Sequence, residues 1–94
     1  MAVNLTGFSS SPQLVAKVTV DPASVGAASV GAQSLTVAGA TPDMHFIVTA
    51  PSLETNLAIG GSYCTTAGTV VVRIINPTAA PIDPASQTFY ILGL

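Results

Sequence analysis

Charge is scarce in this sequence. Only 6% of its 94 residues are charged, whereas a typical soluble domain carries about 25%. The only permanent cations are Lys17 and Arg73, and two cations cannot neutralise a row of phosphates, so we expect no binding to nucleic acid. Uncharged polar residues must cover the surface instead, and such surfaces are more often packed against neighbours than left in dilute solution. The composition therefore favours a protein that works in contact with other subunits.

The residues that usually carry catalysis or bind metals are also scarce. His45 and Cys64 are the only histidine and cysteine, and a metal site needs several such ligands. We expect His45 on the exposed or interfacial side of its strand and Cys64 as a buried structural thiol, because no base or cation flanks it. Gly60 and Gly61 lack the lysine and the helix of a phosphate loop and predict a bulge. No nucleophile elbow is present, so we predict neither an enzyme nor a cofactor nor a metal.

Long apolar runs are missing too. The most apolar stretch, TVVVRIIN at 69–76, is interrupted by Arg73 and is far shorter than the roughly 20 residues that a membrane helix needs. The first residues, MAVNLTGFSSSP, contain neither a basic leader nor a sustained apolar segment, which does not fit a secretory signal. A lone cysteine gives no reason to expect an oxidising compartment. We therefore expect a soluble chain without a membrane partner.

Strand signals dominate what is present. Apolar residues do not recur at helical spacing over any long window, and Gly, Pro, Thr and Val are frequent. Six short segments bounded by turn residues have the composition of strands. Their regular spacing without helical crossovers predicts an antiparallel sandwich or a small barrel. The candidate strands are 13–20, 33–38, 44–50, 57–65, 69–76 and 87–94.

The tetrapeptide DPAS occurs twice, at 21–24 and 83–86, each time after an apolar residue. Proline fixes its own φ and pushes the preceding residue out of the helical region, while an aspartate side chain accepts a hydrogen bond from a nearby backbone N–H. The motif therefore predicts a strand end that runs into a tight turn. The flanking residues differ between the copies, which argues against a duplication. Neither Asp21 nor Asp83 has an adjacent titratable partner for catalysis.

Two candidate strands are apolar on both sides. In 69–76, Val71 and Ile75 flank Arg73 on the side opposite the other apolar residues, and in 87–94 Tyr90 and Leu92 lie opposite Phe89 and Ile91. A sandwich of one chain covers only the inner side of each sheet. We expect a partner to cover the second apolar side. The alternative is that these are central strands over which long neighbouring side chains lie.

The segment 1–12 stands apart from the rest. Val3 and Leu5 alternate with polar residues before Phe8 and a run of serines end the pattern. About ten extended residues reach on the order of 35 Å, enough to add a strand to the open sheet edge of a neighbour. We interpret 1–12 as an N-terminal arm and 13–94 as the folded domain. The alternative is an unstructured chain end, the default for termini.

From Val20 onward the sequence resembles the short all-β virion proteins encoded among the head genes of tailed bacteriophages. The residues that carry this resemblance read VDPASV…LTV…APSL…LAI…VVVRIINPTAAPIDPASQTFYILGL, and the most specific part is NPTAAPIDPASQTFYIL. Some proteins of this family are decoration or cement proteins. The resemblance implies a protein without turnover that sits, often as a trimer, over junctions between capsid subunits and stabilises the shell.

These observations combine into one expectation. We predict an antiparallel β-sandwich, immunoglobulin-like or jelly-roll-like, with about six strands and an extended N-terminal arm. It would be made in the host cytoplasm and act on the virion surface, with the major capsid protein and itself, as a homotrimer, for partners. The alternatives are a glycan- or receptor-binding module that uses Tyr63 and Tyr90, and a tail or fibre component. The predicted contact residues are Val3, Leu5, Phe8, Val71, Ile75, Tyr90 and Leu92.

Overall fold

A computed structural model describes residues 14–94, and within that range the chain is all-β, with six strands and no helix. This confirms the predicted all-β class and the predicted number of strands. Beta-branched residues and turn clusters produce this outcome because they favour pleated, half-buried segments separated by reversals. The strands are β1 (Leu14–Val20), β2 (Ser29–Thr36), β3 (Phe46–Thr49), β4 (Ala58–Thr66), β5 (Thr69–Asn76) and β6 (Gln87–Gly93).

The bounds of the strands follow the predicted ones closely in the second half of the chain. The observed β5 has the bounds predicted for it, and β6 ends one residue earlier than predicted. The adjacent glycines in β4 produce the expected bulge, since the pairing register with β5 shifts between Ile59 and Gly61. The local pattern was sufficient here because these strands are rich in β-branched and aromatic residues.

Two strands differ from prediction. The observed β2 begins at Ser29, earlier than the predicted start at Gln33, because its whole length pairs with β5, from Ser29 opposite Asn76 to Thr36 opposite Thr69. The small residues SVGA carry little strand signal of their own. The observed β3 is shorter than predicted, since Met44 N–H donates to the carbonyl of Thr41 in a turn before the strand starts.

The strands form two antiparallel three-stranded sheets. The first sheet has the order β1-β6-β3 and the second the order β2-β5-β4. The pairing is nested, because β1 pairs with β6 and β2 pairs with β5. The two strands predicted to be apolar on both sides, β5 and β6, are the central strands of the two sheets.

The inner sides of both sheets share one hydrophobic core. From β5 it takes Val70, Val72 and Ile74, and from β6 it takes Phe89 and Ile91, all of them buried. These are the residues that alternation assigned to one side of each strand, so that prediction is confirmed. The predicted burial of Cys64 and exposure of His45 are also confirmed.

The two DPAS copies meet at one end of the molecule. The first follows β1 and the second precedes β6, and those strands pair with Val20 opposite Gln87. Val25, just after the first copy, and Ile82, just before the second, exchange two backbone hydrogen bonds of 2.8 and 3.0 Å. Both copies therefore connect strands at the same end of the fold and take part in no strand themselves.

Asn76 holds this end together. Its side chain is fully buried at the end of β5. Its Nδ2 group is shared among the carbonyls of Val25, Gly26 and Ala80 at 3.1, 3.1 and 2.9 Å. Its Oδ1 accepts from the backbone N–H and the hydroxyl of Thr78 at 3.0 and 2.7 Å. A buried amide with donors and acceptor both satisfied fixes the loops around it instead of destabilising them.

Glu54 joins the β3–β4 loop to the second DPAS copy. Its Oε2 accepts from the backbone N–H of Ala85 at 2.9 Å, and its Oε1 accepts from Nε2 of Gln87 at 3.3 Å. The Ala85 N–H stabilises the ionised carboxylate and is the main reason why the pKa of Glu54 lies below its ordinary value. The carboxylate thus fixes the segment that leads into β6.

The alternation of burial along β6 generates a direct test of the fold. Phe89→Ala removes a fully buried ring from the shared core, and we expect it to lower the free energy of unfolding by about 3–5 kcal/mol. The control is the neighbouring Tyr90→Ala on the exposed side, for which we expect about 1 kcal/mol or less. Urea unfolding of both variants measures the difference. Equal losses would contradict the assignment of the two sides of β6.

The Glu54 contact predicts an acid-sensitive component of stability. Because the pKa of Glu54 is lowered in the folded state, its stabilising effect is present at neutral pH and is lost as the pH falls below the ordinary pKa of a glutamate and the carboxylate takes up its proton. Glu54→Gln should therefore be less stable than the parent at neutral pH, and the gap in Tm should narrow towards pH 3. Thermal unfolding across that range measures it.

A charge-conserving variant separates the contact from the charge. Glu54→Asp keeps a carboxylate but is one methylene too short to reach the Ala85 N–H, so we expect it to behave like Glu54→Gln. If Glu54→Asp kept the full acid dependence of the parent protein, the contact with Ala85 would not be its cause.

Candidate interaction surfaces

The outward side of the first sheet is largely apolar. Val15, Leu92 and Ile47 lie opposite one another in a row across β1, β6 and β3. The two on the edge strands, Val15 and Ile47, are 68% and 52% exposed. Aliphatic side chains at these positions contribute little to the core, so folding alone does not explain them.

The next row of the same sheet is mixed. Lys17 and Thr49 lie on either side of Tyr90, whose ring is also exposed. The two rows surround a shallow depression of about 440 Å³. Beyond it, the hydroxyls of Thr19 and Thr88 hydrogen-bond to each other at 2.8 Å and end the apolar area. We call this surface the first outer face, made up of Val15, Lys17, Ile47, Thr49, Tyr90 and Leu92.

The outward side of the second sheet has a similar apolar row. Val30, Ile75 and Ala58 lie opposite one another across β2, β5 and β4, and Val30 is 55% exposed. The Ile75 side chain lies over Gly60, where an added Cβ would come within 2.6 Å of Ile75 Cδ1. A glycine at this point lets Ile75 lie flat across the neighbouring strand.

Arg73 occupies the centre of this second surface. Its guanidinium lies 5.3 Å from the centroid of the Tyr63 ring, a cation–π geometry. Tyr63 in turn lies opposite Val71, which is half-buried. We call this surface the second outer face, made up of Val30, Ala58, Tyr63, Val71, Arg73 and Ile75.

The predicted contact residues divide between these two faces. Tyr90 and Leu92 lie on the first outer face, whereas Val71 and Ile75 lie on the second. Because both sheets turn their inner sides to one core, the two faces lie on opposite sides of the molecule. The four residues do not form a single surface. Val3, Leu5 and Phe8 lie outside the described residues.

Sequence reasoning missed the edge-strand members of these faces. Val15, Ile47 and Val30 are among the most exposed large apolar residues of the described chain, yet none was selected. The sequence contained a signal for Val15, because this apolar residue lies on the side of β1 opposite Leu14 and Ala16. Alternation separates the two sides of a strand but does not say which side faces the core when both contain apolar residues.

The two tyrosines considered for sugar binding are also separated. Tyr90 belongs to the first outer face and Tyr63 to the second. A platform that stacks on one sugar ring needs its aromatic groups on one surface. These two side chains therefore do not contribute to one glycan site.

Residues 14–94 contain no group of three or more His, Cys, Asp or Glu side chains close enough to share a metal ion. No helix suited by length and hydropathy to crossing a bilayer occurs in the same part of the chain. Comparison with known proteins finds no matching family model, no similar curated protein and no similar solved structure. The two outer faces and the sequence pattern are therefore the features that bear on function.

Proposed function

We propose that this chain is a structural virion protein that binds the outside of a phage capsid and stabilises it as a decoration or cement protein. The observation that carries the proposal is the pair of apolar faces on opposite sides of one small domain. A domain with one such face can attach to a neighbour, whereas a domain with two can link two neighbours. Linking adjacent capsid subunits is the physical task of a cement protein.

The strand order supports the jelly-roll-like form of the predicted β-sandwich. In the nested pairing β1 lies beside β6 and β2 beside β5, while β3 and β4 are in contact across the fold. The chain is thus one long hairpin rolled up on itself, as in jelly rolls. An immunoglobulin-like sandwich keeps several consecutive strands as neighbours in one sheet. Here β4 and β5 are the consecutive strands of the described chain that pair.

The size of each face favours attachment at more than one place. Strands of seven to nine residues, with a third strand of four residues in the first sheet, present a footprint on the order of 300 Å² or less on each face. A stable protein contact buries about 800 Å² on each partner. We infer that the two outer faces and the arm at 1–12 contribute together, and that many copies repeat these contacts over the lattice. The partners proposed are the major capsid protein and, in a homotrimer, other copies of this chain.

The same chemistry fits a tail or fibre position within the virion, and binding to isolated capsids distinguishes the two locations. A glycan- or receptor-binding role has less support, because Tyr63 and Tyr90 lie on opposite faces. In either virion position the chain would be synthesised in the host cytoplasm and then bind the assembled particle.

Substitutions on each face test the proposal. Leu92→Asp alters the first outer face and Ile75→Asp the second. We expect each variant to bind phage capsids lacking this protein at least about tenfold more weakly, because a charge replaces a contact that loses its water on binding. Co-sedimentation with capsids measures the affinity, and urea unfolding checks that the variants remain folded.

The matched control is Thr55→Asp, which places the same charge in an exposed loop outside both faces. It should bind like the parent protein. If Leu92→Asp and Ile75→Asp also bound like the parent, neither face would contact the capsid. Binding to tails but not to capsids would assign the protein to the tail.

Deletion of residues 1–12 tests the arm separately. We expect the shortened chain to keep its Tm, because the deletion leaves the hydrophobic core of the described residues intact, and to need a higher concentration to saturate capsids. Titration of capsids with both forms gives the comparison. Saturation at the same concentration would show that the arm makes no contact.

A further inference from the structure

The charged side chains are separated by sign in the structure. All six charged side chains lie in the described part of the chain. Lys17 lies on the first outer face and Arg73 on the second. Asp21, Asp43, Glu54 and Asp83 all lie in connections between strands, and no carboxylate lies on either face.

Each cation has similar surroundings. Lys17 lies directly opposite Tyr90, with Leu92 in the adjoining row. Arg73 lies over the ring of Tyr63, two residues from Ile75 on the same side of β5. Tyrosine and arginine among aliphatic residues are typical of the side chains that dominate binding energy at the centre of interfaces.

We infer that each outer face docks on a protein surface that presents a carboxylate within an apolar patch. This inference depends on the proposed function and assigns a chemistry to the capsid surfaces that the chain would link. When an apolar face loses its water on docking, a cation that belongs to the face loses hydration as well. That loss is offset only if an acidic group of the partner meets the cation.

Other occupants fit this charge arrangement less well. A two-fold contact between copies of one face would bring two cations together with no carboxylate on either side. Nucleic acid and anionic membranes are bound by rows or clusters of basic residues, whereas each face has one. A carboxylate-bearing protein surface satisfies both the apolar row and the single cation.

The two cations differ in what they can recognise. The stacking of Arg73 on Tyr63 restrains its guanidinium, and this planar group binds a carboxylate through two parallel hydrogen bonds. Lys17 is a point charge on a flexible stem. We therefore expect Arg73→Lys to weaken binding, even though it keeps the charge, and Lys17→Arg to have a smaller effect.

Charge reversal on the two faces tests the inference with capsids as the probe. We expect Arg73→Glu and Lys17→Glu each to weaken binding at least about tenfold. Arg73→Met keeps an apolar stem, so its affinity should lie between that of Arg73→Glu and that of the parent. Added salt should weaken binding of the parent protein more than that of Arg73→Met. The control Asp21→Asn changes the net charge in a connecting loop and should not weaken binding. Reversal variants that bind like the parent would overturn the inference.

A second probe separates this inference from the proposed function. If charge were spread evenly over the protein surface, the net charge of −2 at pH 7 would predict that a carboxylate matrix does not retain the protein. We expect a matrix that combines carboxylate and alkyl groups to retain the parent protein at low salt, and to retain Arg73→Glu and Lys17→Glu less strongly because each variant has lost the cation of one face. The inference would be overturned if the parent protein passed through this matrix unretained, or if the variants were retained as strongly as the parent. Either result would count regardless of the capsid-binding measurements.

The remaining outcomes have distinct meanings. Retention that depends on both cations, without binding to capsids, would support the docking chemistry and contradict the proposed function. Native mass measurements test the remaining candidate for the docking partner, which is a second copy of this chain. A parent oligomer that both reversal variants dissociate would assign the faces to that copy and overturn the inference.

Discussion

The rest of the structure depends on the burial of one side of β5 and one side of β6 in a single core. Val72 and Ile74 of one sheet and Phe89 and Ile91 of the other are buried in it. A chain of this size has room for only one such core. Because strand side chains alternate, burying every second residue directs the others outward. The outer faces are therefore geometric consequences of the core, but their apolar character is not required by it.

Polar groups hold one end of the molecule together and leave its faces apolar. Asn76 satisfies the carbonyls around the first DPAS copy, and Glu54 satisfies an N–H in the second. The carboxylates lie in the connections, while the two cations lie on the faces. The polar side chains that fix the loops and the side chains exposed on the outer faces thus lie in different parts of the domain. The apolar area on these faces is the basis on which we propose that the protein contacts a partner.

The sequence was informative where structure depends on neighbouring residues. The strand class, the bounds of β5 and the side of β6 that includes Phe89 were all predicted, because strand alternation and turn residues act over a few positions. The start of β2 at Ser29 was not, because its small residues become a strand only through pairing with β5. The intrinsic strand propensity of these residues gives no information about that pairing.

The candidate surfaces show the same difference between what local sequence determines and what tertiary contacts determine. The sequence by itself determined an all-β chain with strands apolar on both sides, few charges, one histidine and one cysteine. Only the tertiary structure decided that Ile75 and Leu92 lie on opposite faces, that Val15 and Ile47 complete one of them, and that each face has a single cation. The reason is physical: side-chain periodicity is set along the strand, whereas strand neighbours and the side that meets the core are set by contacts between distant residues.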